Sequence, residues 1–220
     1  MSEQRILFEK LGKSKYISHL DLLRTLQRAF ARAGISIRHS EGFNPHPKIS
    51  IALPLPVGQE SLCEILDYDL ACEIQSAEIV MRLNDIMPEG IKVLEAYEAE
   101  RSASELKWVS VEGKMTYDSG VPNEAEFRLS EFFSSENIVI SKRSKRGISD
   151  FDIAQCIQKI SFRLADSHTV LLYAVIAAQN PTLNPDNLIS AVHQLAPELE
   201  PDFYGFLRRE IYDNQGIVFR

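Results

Sequence analysis

Three arginines spaced four residues apart are the first group of side chains that could bind a ligand. Arg24, Arg28 and Arg32 stand at positions i, i+4 and i+8, which share one stripe of an α-helix. Like charges in such a stripe repel each other by roughly a few tenths of a kcal/mol per pair, and only Asp21 offers compensation nearby. An anionic ligand or partner segment would relieve this repulsion. The alternative is an ordinary solvated helix face.

The segment EGFNPHPK, residues 41–48, is the second such group. Each proline holds the residue before it in an extended conformation, so Asn44 and His46 are expected to project their side chains. Together with Phe43 and Lys48, the loop offers an amide, an imidazole, an ammonium group and an aromatic ring, which suit base stacking and phosphate contact. The alternative is a proline-rich turn plugged by a buried Phe43, and for Phe43 itself we expect a place in the core.

Histidines in the same region raise the question of catalysis. His19, His39 and His46 fall within it, but no i, i+4 pair or tight spacing predicts a metal site, and we expect neither metal nor cofactor. In an enzyme, His19 or His46 would act as a general acid or base on a phosphodiester. Lys48 or Arg24 would then stabilise the developing charge.

A basic run in the second half of the chain adds further cationic groups. Residues 141–147, SKRSKRG, are typical of a hairpin tip. The run predicts a flexible loop that grips phosphates, and a solvated turn is the alternative. Its cationic residues are Lys142, Arg143, Lys145 and Arg146.

The charge of the chain is unevenly distributed. The formal net charge is −7, which by itself argues against nucleic acid. Residues 13–48 nevertheless contain seven Lys or Arg against two acids, whereas residues 60–105 contain twelve acids against three Lys or Arg. Because a ligand responds to the local field, a basic surface in the amino-terminal half favours a polyanion despite the total.

The composition limits which class of protein the sequence can encode. With 220 residues, 45% hydrophobic and 25% charged, the chain is long enough for two globular domains. The three cysteines form no CxxC pair, which favours reduced thiols, and Cys63 and Cys72 are expected in the core. The start of the sequence lacks the apolar core of a signal peptide, and no apolar stretch reaches the roughly 18 residues that span a bilayer. We therefore expect a cytoplasmic protein without membrane association.

The elements that position these groups follow the order β-α-β-β-α-β over residues 1–100. Ser18-x-x-Asp21 predicts the start of a helix whose apolar period ends at Gly34. This order is that of a ferredoxin-like, split βαβ module with an antiparallel sheet and helices on one face. Strands are predicted at 5–10, 49–55, 62–70 and 91–96, a short strand-like segment at 35–38, and a second helix at 76–87.

A second, looser copy of the pattern occupies residues 101–220. We therefore predict an α+β protein of two ferredoxin-like modules, although no residue-level repeat links the halves. Strands are predicted at 107–117, 138–142, 157–164, 169–178 and 206–212, and helices at 123–133 and 184–195.

Two motifs carry a resemblance to a known family. The helix start SHLDLLR (18–24) and the loop GFNPHPK (42–48) resemble the uncharacterised radical-SAM-linked proteins, a domain encoded beside, or fused to, a radical SAM protein. The resemblance covers roughly the first 70 residues and also the ending, residues 207–216. It implies a radical SAM protein as partner and RNA or translation-related substrates, and it supplies no catalytic residues. Because the chain lacks the three-cysteine cluster motif, radical chemistry would belong to the partner.

These observations favour an RNA-binding accessory protein of a radical SAM or RNA-processing enzyme. A metal-independent RNA-processing enzyme using His19 or His46 is the first alternative, and a protein-interaction module is the second. The predicted RNA-binding residues are Lys13, Lys15, Arg24, Arg28, Arg32, Phe43, Asn44, His46, Lys48, Lys142, Arg143, Lys145 and Arg146.

Overall fold

The computed structural model describes residues 3–144 and 147–220, without the side chains of residues 143 and 144. The described chain combines antiparallel strands with α-helices, so the predicted α+β class is confirmed. The chain divides into two compact units, Met1–Glu105 together with Phe219–Arg220, and Leu106–Val218. In the described part of the chain, no helix combines the length and apolar character needed to cross a bilayer.

The first unit is built on an antiparallel sheet with the order β4-β1-β3-β2. Helix α1 lies between β1 and β2 in the chain, and helix α2 lies between β3 and β4. The elements are β1 (Gln4–Lys10), α1 (His19–Arg32), β2 (Ile49–Ile51), β3 (Glu60–Tyr68), α2 (Ser76–Asn84) and β4 (Ile91–Glu98), with short 3-10 helices at Gly12–Tyr16 and Ala103–Glu105.

One core is buried between the helices and this sheet. Apolar residues at helical spacing on α1 and α2 pack against the alternate residues of β1, β3 and β4 that point towards them. The ring of Phe30 on α1 lies 4.8 Å from that of Tyr68 on β3. The helical contribution to the core consists of Leu22, Leu26, Ala29, Phe30, Ile79 and Leu83.

A buried ion pair joins two strands of the same sheet. Arg5 on β1 is completely buried and donates from Nε and Nη2 to the two carboxylate oxygens of Asp67, at 2.5 and 3.2 Å. Nη2 also donates to the Arg101 carbonyl at 3.0 Å, and the guanidinium lies 4.9 Å from the ring centroid of Phe219. Because the two residues sit opposite each other in the strand register, the pair fixes the alignment of β1 and β3.

In the second unit, the strands follow one another across the sheet in the same order, relative to the chain, as in the first unit. Its antiparallel sheet runs β10-β5-β9-β8, and a two-stranded hairpin, β6–β7, is inserted between α3 and β8. The elements are β5 (Trp108–Thr116), α3 (Ala125–Phe133), β6 (Val139–Ser144), β7 (Gly147–Asp152), β8 (Ile157–Asp166), β9 (Thr169–Ala177), α4 (Asp186–Leu195) and β10 (Phe203–Tyr212), with 3-10 helices at Ala154–Cys156 and Pro197–Leu199.

Some local predictions differ from the structure. The strand-like segment predicted at 35–38 is reduced to one isolated bridge between Ile37 and Leu70, because the chain turns at once into the following loop. The strand predicted at 49–55 ends at Ile51, before the prolines that cannot donate to a ladder. Cys72 is exposed rather than in the core, whereas Cys63 is buried as predicted.

Candidate nucleic-acid interface

The arginine stripe lies on the solvent side of α1. Ser18 caps the helix, since its Oγ accepts the Asp21 N–H at 3.3 Å, and the buried Leu22, Leu26, Ala29 and Phe30 fix how the helix is rotated. With that face against the sheet, the stripe must point outwards. Its three members, Arg24, Arg28 and Arg32, are all exposed.

The stripe is only partly neutralised within the chain. Arg24 Nη1 lies 3.2 Å from Asp21 Oδ1, and both side chains are more than half exposed, so this contact contributes little. Among the described residues, no carboxylate pairs with Arg28 or Arg32. Two adjacent guanidinium groups therefore remain available to an anion.

The segment before α1 is basic and carries an exposed aromatic ring. Lys13 is exposed, and the ammonium group of Lys15 lies 5.4 Å from the centroid of the Tyr16 ring, which is 67% exposed. The Lys15 carbonyl accepts hydrogen bonds from Lys10 Nζ at 3.2 Å and from the Gly58 N–H at 2.9 Å. The backbone of the segment is thus held while the side chains of Lys13 and Tyr16 face solvent. Tyr16 was not predicted, since one tyrosine in a turn carries no sequence signal.

The loop predicted at residues 40–48 is a hairpin with a fixed base. The Lys48 N–H donates to the Arg38 carbonyl and the Ser40 N–H to the His46 carbonyl, both at 2.8 Å. The base also joins the end of β3, where the Arg38 N–H donates to the Asp69 carbonyl at 2.8 Å and the Asp69 N–H to the Lys48 carbonyl at 3.1 Å. We call residues 38–48 the finger hairpin. Backbone hydrogen bonds within the hairpin and to Asp69 hold its base, and this fixes the position of its tip.

The tip of the finger hairpin displays its side chains to solvent. Gly42 adopts a φ of 125°, which turns the chain, and Phe43 next to it is fully exposed at 112%. The expectation that Phe43 belongs to the core is therefore wrong, because no described segment of the chain covers the ring. Asn44 and His46 are exposed as well. An unburied aromatic ring beside an amide and an imidazole can stack on a base and bond to its edge.

The helix and the finger hairpin border a common cavity. Gln27 and Ala31 of α1 line a cavity of about 310 Å³ together with His39 and Pro47 of the hairpin. Arg28 lies between Gln27 and Ala31 in the sequence of the same helix. The structure thus brings the helix that carries the stripe and the predicted loop to one region of the first unit.

The three candidates for catalysis do not share one place. His46 and Lys48 line a second cavity, and His19, the first residue of α1, is absent from its lining among the described residues. His19 Nδ1 is buried and finds no hydrogen-bond partner in the described part of the chain. Among the described residues, no group of three or more His, Cys, Asp or Glu is placed to hold a metal ion.

Lys48 is not the free cation that the sequence suggested. Its Nζ lies 3.3 Å from Asp69 Oδ2, with the lysine side chain 50% exposed and the aspartate 29% exposed. Asp69 was missed because it follows Lys48 by 21 residues, and only the pairing of the finger hairpin with β3 brings the two together. A ligand that contacts the Lys48 ammonium group therefore also meets the carboxylate of Asp69.

The described residues of the predicted basic run, 141–144 and 147, belong to the strands β6 and β7. The side-chain amide of Gln194 on α4 holds the base of this hairpin, accepting the Ser141 N–H at 2.8 Å and donating to the Ser141 carbonyl at 3.3 Å. Lys142 is exposed, with its ammonium group 5.4 Å from the centroid of the Phe151 ring. The remaining predicted contacts, the Arg143 side chain, Lys145 and Arg146, lie outside the described residues.

Comparison with protein families identifies the chain. The family described as "Uncharacterized protein conserved in bacteria (DUF2344)" matches residues 4–185, which is most of the sequence. The chain belongs to this family. The description of DUF2344 names no reaction, and no curated protein matches the sequence.

Two solved structures are similar to this DUF2344 protein. A chain of the "Crystal Structure of a Cbf5-Nop10-Gar1 Complex" is 11% identical with a TM-score of 0.52; the alignment covers 94% of the DUF2344 protein and 48% of that chain, so the DUF2344 protein spans about half its length. The "Crystal Structure of an Unknown Protein from Galdieria sulphuraria" is 6% identical with a TM-score of 0.27, covering 94% and 98%. The first likeness concerns the fold and agrees with the α+β class.

Proposed function

We propose that this DUF2344 protein is an RNA-binding accessory protein. The observation that carries the proposal is the exposure of Arg28 and Arg32 without a carboxylate partner among the described residues, on the helix that borders the finger hairpin. Two unneutralised guanidinium groups on one helix stripe favour a polyanion, because each phosphate contact releases counterions. The only stripe member with a described partner is Arg24, which argues against a basic patch already occupied by the chain's own acids.

The proposal divides the contacts into two kinds. Arg28, Arg32 and Lys13 would contact phosphates, which fix the position of RNA without reading its sequence. Phe43 would stack on a base, a contact worth about 1–3 kcal/mol per base in single-stranded RNA, and Asn44 would bond to the edge of a base. Lys15, Arg24, and the basic hairpin β6–β7 of the second unit would supply further phosphate contacts.

The finer assignments of partner and fold belong to the same proposal. The motifs at residues 18–24 and 42–48 support a radical SAM protein as the enzyme that this accessory assists. The sheet orders β4-β1-β3-β2 and β10-β5-β9-β8 support two ferredoxin-like modules, since each corresponds to the order 4-1-3-2 of a split βαβ sandwich, with β6–β7 inserted in the second.

An RNA titration of single variants tests the proposal. Arg28→Ala should weaken binding of single-stranded RNA and lower the slope of log affinity against log salt by about one unit, because one phosphate contact is lost. The matched control is Arg163→Ala, which removes an exposed arginine of β8 in the second unit and should leave affinity and slope unchanged. Equal affinity and slope for Arg28→Ala and the unmodified protein would overturn the phosphate role of the stripe.

An incubation with RNA separates binding from catalysis. The accessory role predicts that RNA recovered from the complex is intact, with or without a chelator. Cleavage that survives the chelator and disappears in His46→Ala would instead identify a metal-independent nuclease, with His46 as its acid or base.

A further inference from the structure

A small polar cavity lies where the finger hairpin meets β3. It measures about 270 Å³, and its lining includes His46, Lys48, Ser50, Asp67, Asp69 and Glu3. All six residues belong to the first unit. The volume is just below the roughly 300 Å³ at which pockets for drug-sized ligands begin, so the cavity suits a single flat ring system.

His46 lines this cavity, and hydrogen bonds within the finger hairpin hold its imidazole in place. Ser40 Oγ accepts the backbone N–H of His46 at 3.1 Å and lies 3.0 Å from His46 Nδ1. Nδ1 also lies 3.3 Å from the Asn44 carbonyl oxygen, which can only accept, so Nδ1 carries the ring proton and donates to these oxygens. In the neutral ring Nε2 is then an acceptor.

Asp69 supplies a carboxylate acceptor. Its Oδ2 is oriented by Lys48 Nζ at 3.3 Å and keeps a second lone pair, and no group in the described part of the chain bonds to its Oδ1. The neighbouring Asp67 is already engaged by both Nε and Nη2 of the buried Arg5. Of the two strand carboxylates, Asp69 is therefore the one that can accept hydrogen bonds from a ligand.

The electrostatics of the cavity disfavour a phosphate. The lining carries three carboxylates, Glu3, Asp67 and Asp69, against the ammonium group of Lys48 and the Arg5 guanidinium that is paired with Asp67, so a phosphate would be repelled. Burial raises the pKa of Glu3, and Asp67 adds to this effect. A neutral ligand that carries N–H donors towards Asp69 and an acceptor towards Lys48 matches this arrangement of charges.

We propose that this cavity binds the base of a guanine nucleotide. Guanine carries two adjacent donors, N1–H and the N2 amino group, which one carboxylate such as Asp69 can accept together. Its O6 is an acceptor for Lys48. Adenine would turn the acceptor N1 towards the carboxylate, and uracil offers it a single N–H. In this way the inference deepens the proposed RNA binding, since the finger hairpin would hold RNA while the cavity selects a guanine.

Mononucleotide titrations of the full chain test the base without requiring RNA binding. GMP should bind, IMP should bind more weakly because it lacks the N2 amino group, and AMP should bind least, although all three carry the same ribose and phosphate. Asp69→Asn should lower GMP affinity by about 10- to 100-fold, the range expected for one bidentate contact. Asp85→Asn, the same change at an exposed site directly after α2, should leave it unchanged.

A second measurement uses the unmodified protein, so its result does not depend on whether Asp69→Asn folds. GMP should shift the backbone amide resonances of Ser50 and Asp69, and AMP should not. Equal binding of GMP and AMP, or GMP shifts confined to other residues, would overturn the guanine site.

The guanine site and RNA binding can fail separately. If a guanine-free RNA still bound with an Arg28-dependent salt slope, RNA binding would stand without the guanine site. If GMP bound at Ser50 and Asp69 but no RNA bound, the proposed function would fail and the guanine site would stand.

Discussion

At the scale of single residues, two glycines with positive φ differ in what surrounds them. Gly90 has a φ of 85°, and a Cβ at this position would overlap the Leu11 carbonyl oxygen. Its own carbonyl accepts the Leu11 N–H at 2.7 Å and the Ser14 hydroxyl at 2.9 Å, so the loop cannot move away without losing both bonds. Gly58 has a similar φ of 91°, but open space lies where its Cβ would be.

Alanine at these two positions should therefore have different costs. Gly58→Ala should lower the free energy of unfolding by about 1–2 kcal/mol, the cost of a left-handed backbone for an L-residue. Gly90→Ala should cost more, about 2–4 kcal/mol, because steric overlap adds to the same backbone term. Urea unfolding followed by circular dichroism measures both changes. Equal losses would show that the Leu11 loop relaxes freely, contrary to the two bonds that hold it.

Single residues also mark where sequence reasoning fails. Phe43 and Cys72 were placed in the core because of their type, yet both are exposed, since burial depends on which distant segments cover a residue. The contact between Lys48 and Asp69 has the same origin. Local patterns describe which side chains a segment carries, and only the fold decides which of them meet.

At the scale of elements, α1 was predictable because its signals are local. The Ser18 cap, the apolar period and the left-handed Gly34 all lie within 17 consecutive residues, 18–34, and the structure contains each of them. The finger hairpin was predictable only as a loop. Its pairing depends on β3, a segment about twenty residues further along the chain.

The cap of α1 should make the stability of the first unit depend on pH. The Ser18 hydroxyl, which donates to Asp21 Oδ2 at 2.8 Å, lowers the pKa of Asp21, and Arg24 adds to the effect. Since this pKa is lower in the folded chain than in the unfolded one, ionised Asp21 stabilises the fold above its unfolded pKa. That contribution disappears as the pH falls through the folded pKa.

Ser18→Ala is the variant that measures this cap. It should lower the free energy of unfolding by about 1 kcal/mol at neutral pH, the usual value for an N-cap serine. The loss should be smaller below the folded-state pKa of Asp21, because the bond between Ser18 and the ionised carboxylate is then absent in both proteins. Ser36→Ala, at an exposed serine after the helix, is the control and should change neither value. A loss that is the same at both pH values would contradict the coupling of Ser18 to Asp21.

At the scale of the whole molecule, the division into units does not follow the order of the chain. Phe219 and Arg220 belong to the first unit, although the residues before them, Leu106–Val218, form the second. The ring of Phe219 is completely buried, with the guanidinium groups of Arg5 and Arg101 each 4.9 Å from its centroid. Sequence patterns assign an element to its neighbours in the chain, so this long-range contribution could not be predicted.

Phe219→Ala should therefore destabilise the first unit. Removing a buried phenylalanine costs about 3–5 kcal/mol, and here it also uncovers Arg5, whose charge is paired in a dry environment. Amide hydrogen exchange should become faster in β1 and β3, and the strand β9 of the second unit serves as the internal comparison. Phe203→Ala, which removes a 64% exposed ring from β10, should leave exchange in β1 and β3 unchanged. If Phe219→Ala left the protection of β1 and β3 intact, the ring would be a passive cover, and the alignment of Arg5 with Asp67 would not depend on it.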